Sequence, residues 1–435
     1  MSRLPGIALA CAWLHACVLA GGLFAAADGL CASDASTNLE RLTLEQARVL
    51  MVERNRELQL ARHAVAGAEA DITIAGAPPN PILTLSTGRI GSVSGPDAPP
   101  LARRIDTGVG LTQLFERGRK RELRTEAARY AFTAARNDQA DVERQQRVAV
   151  DQAYYDLLLA QEKQRITEES AALFDNTIQA AERRVQAGDL SRADLARLSV
   201  DALRSRNEVE NARLDQSKAQ VALAYLIGLE RDARRIRAAE SWPQAASAPG
   251  ISEIERYVDQ RPDVQAAQAR IQQADQNRAL AQSLRTRDVT AGVQYEHTPT
   301  DVVRNSVGFN VSVPIFARYY YEGEIRRSEA DYLVAQTSLE RVRATAISQI
   351  SAAASALASA SERVRRFQDS LLAAAERAAN GAEFAYTRGA IGVMDLLDAR
   401  RQLHAVRLEF ASALADYARA YSAWLAATEP PPAPR

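Results

Sequence analysis

The chain has 435 residues, of which 47% are hydrophobic and 6% aromatic, and its 54 Lys+Arg are matched by 54 Asp+Glu. That length and apolar content suffice for a large core or two domains, while a zero net charge supplies no global field that would draw nucleic acid or another polyanion. The three cysteines (Cys11, Cys17, Cys31) all lie near the N-terminus, so the rest of the chain carries neither a disulfide framework nor a cysteine metal site; the only histidines are His15, His63, His297 and His404.

Residues 1–27 have the form of an export signal peptide. Arg3 gives the positive start, a hydrophobic run extends from Ile7, and Ala25-Ala26-Ala27 supplies the small-residue cleavage box. A transmembrane anchor is the competing reading. Lipidation at Cys17 or Cys31 is disfavoured because His15 and Asp28 interrupt the small-residue boxes before them. After residue 40 no apolar run approaches the roughly 20 residues of a spanning helix, so any membrane crossed by the mature chain is crossed by strands.

A helical segment is expected over 43–75, opened by Thr43-Leu44-Glu45-Gln46 in the form of a capping box. Short strand-like runs around a polar loop follow, then QLFERGRKRELR, in which Arg117, Arg119, Lys120, Arg121 and Arg124 read as a solvated helix start in preference to a lipid-headgroup site. Residues 119–187 contain neither glycine nor proline. Such a helix is a rod on the order of 100 Å, longer than globular domains use. A glycine turn, Gly188-Asp189-Leu190-Ser191, reverses it. Repeat 1 is placed at 40–230, a linker at 231–250, repeat 2 at 251–428 and a Pro-rich tail at 429–435.

The second unit matches the first piece by piece. NRELQLARHAVAGAEADI (55–72) aligns with RPDVQAAQARIQQADQNR (261–278), QLFERGRKRELRTEAA (113–128) with PIFARYYYEGEIRRSEA (314–330), and GDLSRADLARL (188–198) with GAIGVMDLLDA (389–399). A helical segment is expected over 251–285. In VTAGVQYEH the residues Val289, Ala291, Val293 and Tyr295 alternate with small or polar ones; in NSVGFNVSVPIF so do Val307, Phe309, Val311 and Val313. Period two with one apolar face describes a half-buried strand. A soluble sandwich strand alternates the same way, and four strands cannot close a barrel alone. Residues 324–380 again lack glycine and proline. After the turn Gly389-Ala390-Ile391-Gly392, Leu396, Leu403, Phe410, Tyr417 and Trp424 recur every seventh residue, with Ala399, Val406, Ala413, Ala420 and Ala427 at the offset position, a seam for close antiparallel helix packing.

Asp395 and Asp398, three residues apart just past the second turn, fall on one helix face. One aspartate there would merely favour the positive helix start; two invite a functional reading. Catalysis is not that reading. The sequence has no G-x-S-x-G, no phosphate-binding glycine loop and no H-E-x-x-H, and no acidic pair comes with a nucleophile or a metal-ligand set.

The signal peptide, the two repeats of helix, strand, strand, long helix, turn and helix, and GAIGVMDLLDAR (389–400) together resemble the TolC family of outer-membrane efflux ducts, over residues 40 to 427. QLFERGRKRELR and PIFARYYYEGEI are most similar to its heavy-metal CzcC/CusC-type branch. The resemblance implies a mainly α fold in which long antiparallel hairpins form an α-barrel, and three protomers complete a twelve-stranded transmembrane β-barrel. It implies a homotrimer in outer-membrane lipid whose helical part lies in the periplasm, with a periplasmic adapter and an inner-membrane RND-type pump as partners and no nucleic acid. It implies no cofactor, no catalytic residue and no resident metal. Phe316, Tyr319, Tyr320 and Tyr321 take the place of an aromatic girdle. The cargo implied is heavy-metal cations; a drug-efflux or type I secretion duct of the same family is the alternative, and a periplasmic coiled-coil adapter is the rival from another class. In that alignment Asp395 and Asp398 fall on the periplasmic aperture acids, Asp194 on the repeat-one acid and Tyr386 on an inter-helix latch aromatic. Gly188, Asp189, Leu190 and Ser191, with Gly389, Ala390, Ile391 and Gly392, fall on the tips that meet the adapter. Ile391 departs from the pattern, since family members with a salt-bridged latch carry arginine there.

Overall fold

The structure, a computed structural model, describes residues 38–92, 103–244, 254–298 and 303–428. The expected signal peptide, the Pro-rich tail and part of the expected linker lie outside them.

The capping box forms: Thr43 Oγ1 accepts the Gln46 N–H at 3.2 Å, Gln46 Oε1 accepts the Thr43 N–H at 3.0 Å, and α1 (Leu44–Arg54) begins. The single helical segment expected over 43–75 is in fact broken at Asn55, whose backbone is extended (φ −64°, ψ 128°). Asn55 Oδ1 accepts the Leu58 N–H at 3.1 Å and starts α2 (Arg56–Gly76), while its amide donates to Leu226 O at 2.9 Å and Gln146 Oε1 at 3.1 Å. The second half breaks at the aligned position by other chemistry. Arg261 is extended and Pro262, with no N–H to satisfy, occupies the first turn of the new helix. The break separates α5 (Ile254–Gln260) from α6 (Pro262–Ser283).

Strands β1 (Ile82–Ser92), β2 (Arg103–Phe115), β3 (Val289–His297) and β4 (Asn305–Ser312) form one antiparallel sheet in that order. The register settles what alternation alone left open. Leu83 pairs with Leu111, Leu85 with Val109, Leu111 with Val293, Val109 with Tyr295, Val293 with Phe309 and Ala291 with Val311. Cross-strand partners share a face, so these apolar residues form one continuous surface across the four strands, while Ile82 and Leu114 fall on the other face. Nothing in the described chain covers it: Phe309 is 86%, Leu85 73% and Val311 70% exposed. The opposite face carries Thr84, Ser86, Gly108, Gly110, Thr112, Gly292, Gln294, Gly308 and Asn310. It is crowded enough that a Cβ on Gly292 would collide with Thr112 and Asn310.

Both strand pairs hand over to long helices through a left-handed residue, Arg119 (φ 58°) and Tyr321 (φ 64°). From Arg119 runs α3 (Lys120–Ala187), 68 residues or about 100 Å. Arg117, Arg119 and Arg121 are exposed as expected of a solvated helix start, but Lys120 and Arg124 are not part of one. The Lys120 amine is buried and meets both Asp288 carboxylate oxygens and the Thr286 carbonyl, each at 2.8 Å. Arg124 forks onto Glu116 at 2.9 and 3.2 Å and reaches the Ala75 carbonyl at 2.9 Å. Burying Lys120 is feasible because Asp288 supplies it a carboxylate, and Glu116 does the same for the half-buried Arg124. From Tyr321 the second rod runs as α7 (Glu322–Arg366), one π-helical turn (Phe367–Leu371) and α8 (Leu372–Thr387). The uninterrupted helix expected over 324–380 thus contains a widened turn, where the buried Phe367 ring meets Phe410 at 5.8 Å between centroids. The return helices are α4 (Arg192–Leu226) and α9 (Val393–Thr428).

Burial follows the helices as separate clusters. The predicted seam of α9 packs Leu403, Phe410, Tyr417 and Trp424 with Val406, Ala413 and Ala420 against Leu357, Val364 and Phe367. A second cluster joins α1, α2, α3 and α4 around Leu42, Met51, Leu58, Tyr154 and Leu157. Beside it, Asp151 is buried and forked by Arg48 at 2.8 and 2.6 Å. The Tyr154 hydroxyl donates to Leu42 O at 3.0 Å and accepts the Ala239 and Glu240 N–H groups at 3.3 and 3.2 Å. Burial pushes this phenol up to about 12, so it stays a donor throughout the physiological range. Tyr154→Phe keeps the packing and leaves the Ala239 N–H on the Leu42 carbonyl at 3.1 Å, but takes the hydroxyl from that carbonyl and from the Glu240 N–H; thermal or denaturant unfolding is expected to show a loss of about 0.5–1.5 kcal/mol, and an unchanged stability would mean that water replaces the hydroxyl at no cost.

Candidate gate at the helical hairpin tips

Each long helix ends in the same hydrogen-bond pattern. Gly188 (φ 84°) donates to Val185 O at 3.1 Å and Asp189 to Arg184 O at 2.8 Å; Gly389 (φ 73°) donates to Tyr386 O at 2.9 Å and Ala390 to Ala385 O at 2.9 Å. The left-handed backbone, not lack of space, calls for glycine, since a Cβ at either position would meet nothing within 4 Å. At these turns Gly188, Asp189, Ser191, Gly389, Ala390 and Gly392 are exposed, whereas Leu190 and Ile391 are half-buried.

The next helix starts the same way in both copies. Ser191 Oγ accepts the Asp194 N–H at 3.1 Å and donates to Asp194 Oδ2 at 2.9 Å. In the second copy Gly392 has no hydroxyl, and Asp395 Oδ2 accepts the Gly392 N–H at 3.2 Å. Both acids are thus engaged at their own helix starts, Asp395 by accepting a backbone N–H and Asp194 by accepting the hydroxyl of the Ser191 cap. Asp398 is different: its side chain is 69% exposed and pairs with Arg401 at 2.8 Å, while the same guanidinium also bonds Asp201 on α4. Among the described residues no hydrogen bond or ion pair joins Asp194, Asp395 and Asp398 to one another.

The tips of the two hairpins meet through an apolar cluster. Ala181 and Leu198 from the first pack with Val393 and Leu397 from the second, flanked by Phe174, Ile178, Leu190, Leu195, Tyr386 and Met394. Tyr386 sits at the edge of that cluster, and Arg184 of α3 donates to its hydroxyl at 2.9 Å and lies over its ring at 5.5 Å from the centroid. Arg400 of α9 crosses the same way to Thr177 Oγ1 at 2.9 Å and also pairs with Glu383 at 3.2 Å. Sequence reasoning found Tyr386 but missed Arg184, Arg400, Arg401 and Asp201. Nothing distinguishes Arg184 from Arg183 in the sequence, because the choice depends on which arginine the helix turns towards the other hairpin.

The family model described as outer membrane efflux protein matches residues 48–229 and 254–428, and the chain belongs to that family. It is 26% identical over 386 residues to the cobalt-zinc-cadmium resistance protein CzcC of Cupriavidus metallidurans, covering 86% of each chain. It is 24% identical to the probable outer membrane lipoprotein SilC of Salmonella typhimurium, covering 81% of this chain and 78% of that one. Among solved structures, CusC superposes with a TM-score of 0.76 at 18% identity, covering 88% of this chain and 91% of that one. The outer membrane protein VceC of Vibrio cholerae superposes with a TM-score of 0.72 at 19% identity, covering 88% and 95%.

The Arg184–Tyr386 contact separates into a hydrogen bond and a ring contact. Tyr386→Phe removes only the hydrogen bond and is expected to raise amide hydrogen exchange around both tips by no more than about tenfold. Tyr386→Ala also empties the edge of the cluster and raises it further. Equal effects of the two would show that the ring contributes nothing.

Proposed function

We propose that this protein is the outer-membrane duct of a tripartite efflux system, a passive conduit from an inner-membrane pump and its periplasmic adapter to the exterior. The observation that carries the reading is the sheet: four strands register into one exposed apolar face backed by a glycine, serine, threonine and asparagine face. A membrane strand needs lipid on one side and water on the other, and closure to leave no unpaired backbone. Among the described residues β1 and β4 are open edges. Joining β4 of one protomer to β1 of the next closes them, and three protomers give the twelve-stranded barrel with α3, α4, α7, α8 and α9 continuing as a periplasmic tunnel.

In this reading the cargo is a heavy-metal cation, supported by the likeness to CzcC, whose name specifies cobalt, zinc and cadmium resistance. The pyoverdine export outer membrane protein OpmQ of Pseudomonas aeruginosa is 24% identical, and its cargo is of another kind. The choice of cargo accordingly sits with the pump. The hairpin tips are the gate: in a trimer Asp395 and Asp398 contribute six carboxylates to the narrow end, with Asp194 beside them and Arg184–Tyr386 holding the two hairpins of one chain together. The exposed turn residues, Gly188, Asp189 and Ser191 with Gly389, Ala390 and Gly392, form the surface that meets the adapter; Leu190 and Ile391 support it from beneath.

Two variants test the barrel. Val311→Arg places a charge on the lipid face and is expected to cost roughly 2–4 kcal/mol near the bilayer middle, blocking assembly in the outer membrane, whereas Asn310→Arg faces water and is tolerated. Equal insertion of both would reverse the assigned faces or remove the barrel. For the gate, Asp395→Ala combined with Asp398→Ala is expected to leave folding intact, because neither side chain enters the α9 seam. Channels of this double variant in planar bilayers lose cation preference and block by multivalent cations; unchanged selectivity would reduce both aspartates to helix-start residues.

A further inference from the structure

His404 lies on α9 where the second hairpin meets the first, and the gate as described makes no use of it. Its side chain is 17% exposed, and Nε2 is buried without a hydrogen-bond partner. Glu208 Oε2 on α4 is 3.7 Å away, beyond hydrogen-bond reach. Ser205, three residues before Glu208 on α4, likewise has a buried hydroxyl that bonds to nothing. Beside the imidazole a cavity of about 70 Å³ opens between α3 and α9, lined by Leu173, Phe174, Leu403 and Arg407 among others. A contact between hairpins that leaves the imidazole Nε2 orphaned with a void beside the ring is poorly satisfied.

The surrounding charges decide what a proton does there. Glu208 faces the ring from α4 and Glu169 lines the cavity from α3; Arg400 and Arg407 line it from α9 itself. Arg407 is drawn towards Glu169 at 3.9 Å and Glu376 of α8 at 3.5 Å, and Arg400 is held by Thr177 and Glu383. Burial lowers the imidazole pKa below its ordinary 6.5, outweighing the upward pull of Glu208, and Arg407 lowers it further. A group that its packing keeps neutral favours, once protonated, any arrangement that brings it to water. An imidazolium also needs acceptors on both nitrogens; the closed seam gives Nε2 none, and the cavity leaves the ring room to move.

We propose that His404 is a proton-sensitive joint between the two hairpins, whose protonation loosens the seam of α9 with α3 and α4 near the tips. The functional meaning rests on the duct reading, in which this seam sets how far the tips part. Because the folded-state pKa is depressed, the seam has its full stability above the ordinary imidazole pKa. It loses that contribution as the pH falls below about 6.5.

Amide hydrogen exchange on the purified full chain in detergent, corrected for intrinsic rates, tests this at about pH 7.5 and about pH 5.5. In the wild type, exchange around 397–408 of α9 and the facing stretch of α3 is expected to rise in acid. His404→Gln, neutral at both pH values, loses that rise, and His404→Phe loses it too should glutamine disturb the packing. Glu208→Gln removes the attracting carboxylate, lowers the packed-state pKa further and so enlarges the acid-induced rise without moving its onset, whereas simple loosening of the contact would raise exchange equally at both pH values. An undiminished acid response in His404→Gln, or none in the wild type, overturns the proposal. Failure of the wild type to form channels in bilayers at neutral pH would instead count against the duct reading, since exchange reports on the seam without it.

Discussion

An extended chain in hydrocarbon has nowhere to send its backbone hydrogen bonds except to another strand, and this constraint organises the protein. The four-stranded sheet has an apolar face that no other part of the described chain covers and two edges that pair with nothing in it. In water such a surface would aggregate. In a bilayer the same face is solvated by lipid, and the edges call for further copies of themselves. Oligomer closure is thus a condition for the sheet to exist in a membrane rather than a decoration of a stable monomer.

The sheet also explains the helices. Each strand pair delivers the chain through a left-handed residue, Arg119 or Tyr321, into a helix far longer than a compact core requires. Burial along such a rod comes as separate clusters, each joining several helices, so that contacts can yield locally without the whole unfolding. The two halves solve the same problems with different residues. Asn55 breaks a helix by side-chain capping and Pro262 by supplying no N–H, while Ser191 starts a helix with a hydroxyl where Asp395 reaches back with a carboxylate. What the halves share is backbone geometry, because the element has to turn at that point whatever residue makes it do so.

The tips combine apolar packing with charges that remain wet. Asp395 and Asp398 are both exposed, and the arginine partner of Asp398 also reaches the first hairpin. Asp398 therefore belongs to a network that spans both hairpins, in which Arg401 offsets part of its charge, while Asp395 stays with its own helix start. That arrangement lets charged side chains reach from one hairpin to the other beside the apolar cluster.

The sequence by itself determined whatever depends on neighbours along the chain. The Thr43–Gln46 capping box, the left-handed glycines at 188 and 389, the strand phase around Val293 and Phe309, and the spacing of the α9 seam are local preferences of short segments, and each is present in the folded chain. Tertiary structure alone decided which distant groups meet. Lys120 and Arg124, read as solvated, are held by Asp288 and Glu116 because strand, helix and loop converge at one junction. The break at Asn55 appears where the asparagine finds the Leu226 carbonyl and Gln146, and the π turn at Phe367 where Phe410 stands opposite. Arg184 meets Tyr386, and His404 stops short of Glu208, because the rotation and register of packed helices place them so. Helical periodicity assigns a side chain to a face, but the partner of that face is set by packing between segments some two hundred residues apart, and no short-range pattern encodes that pairing.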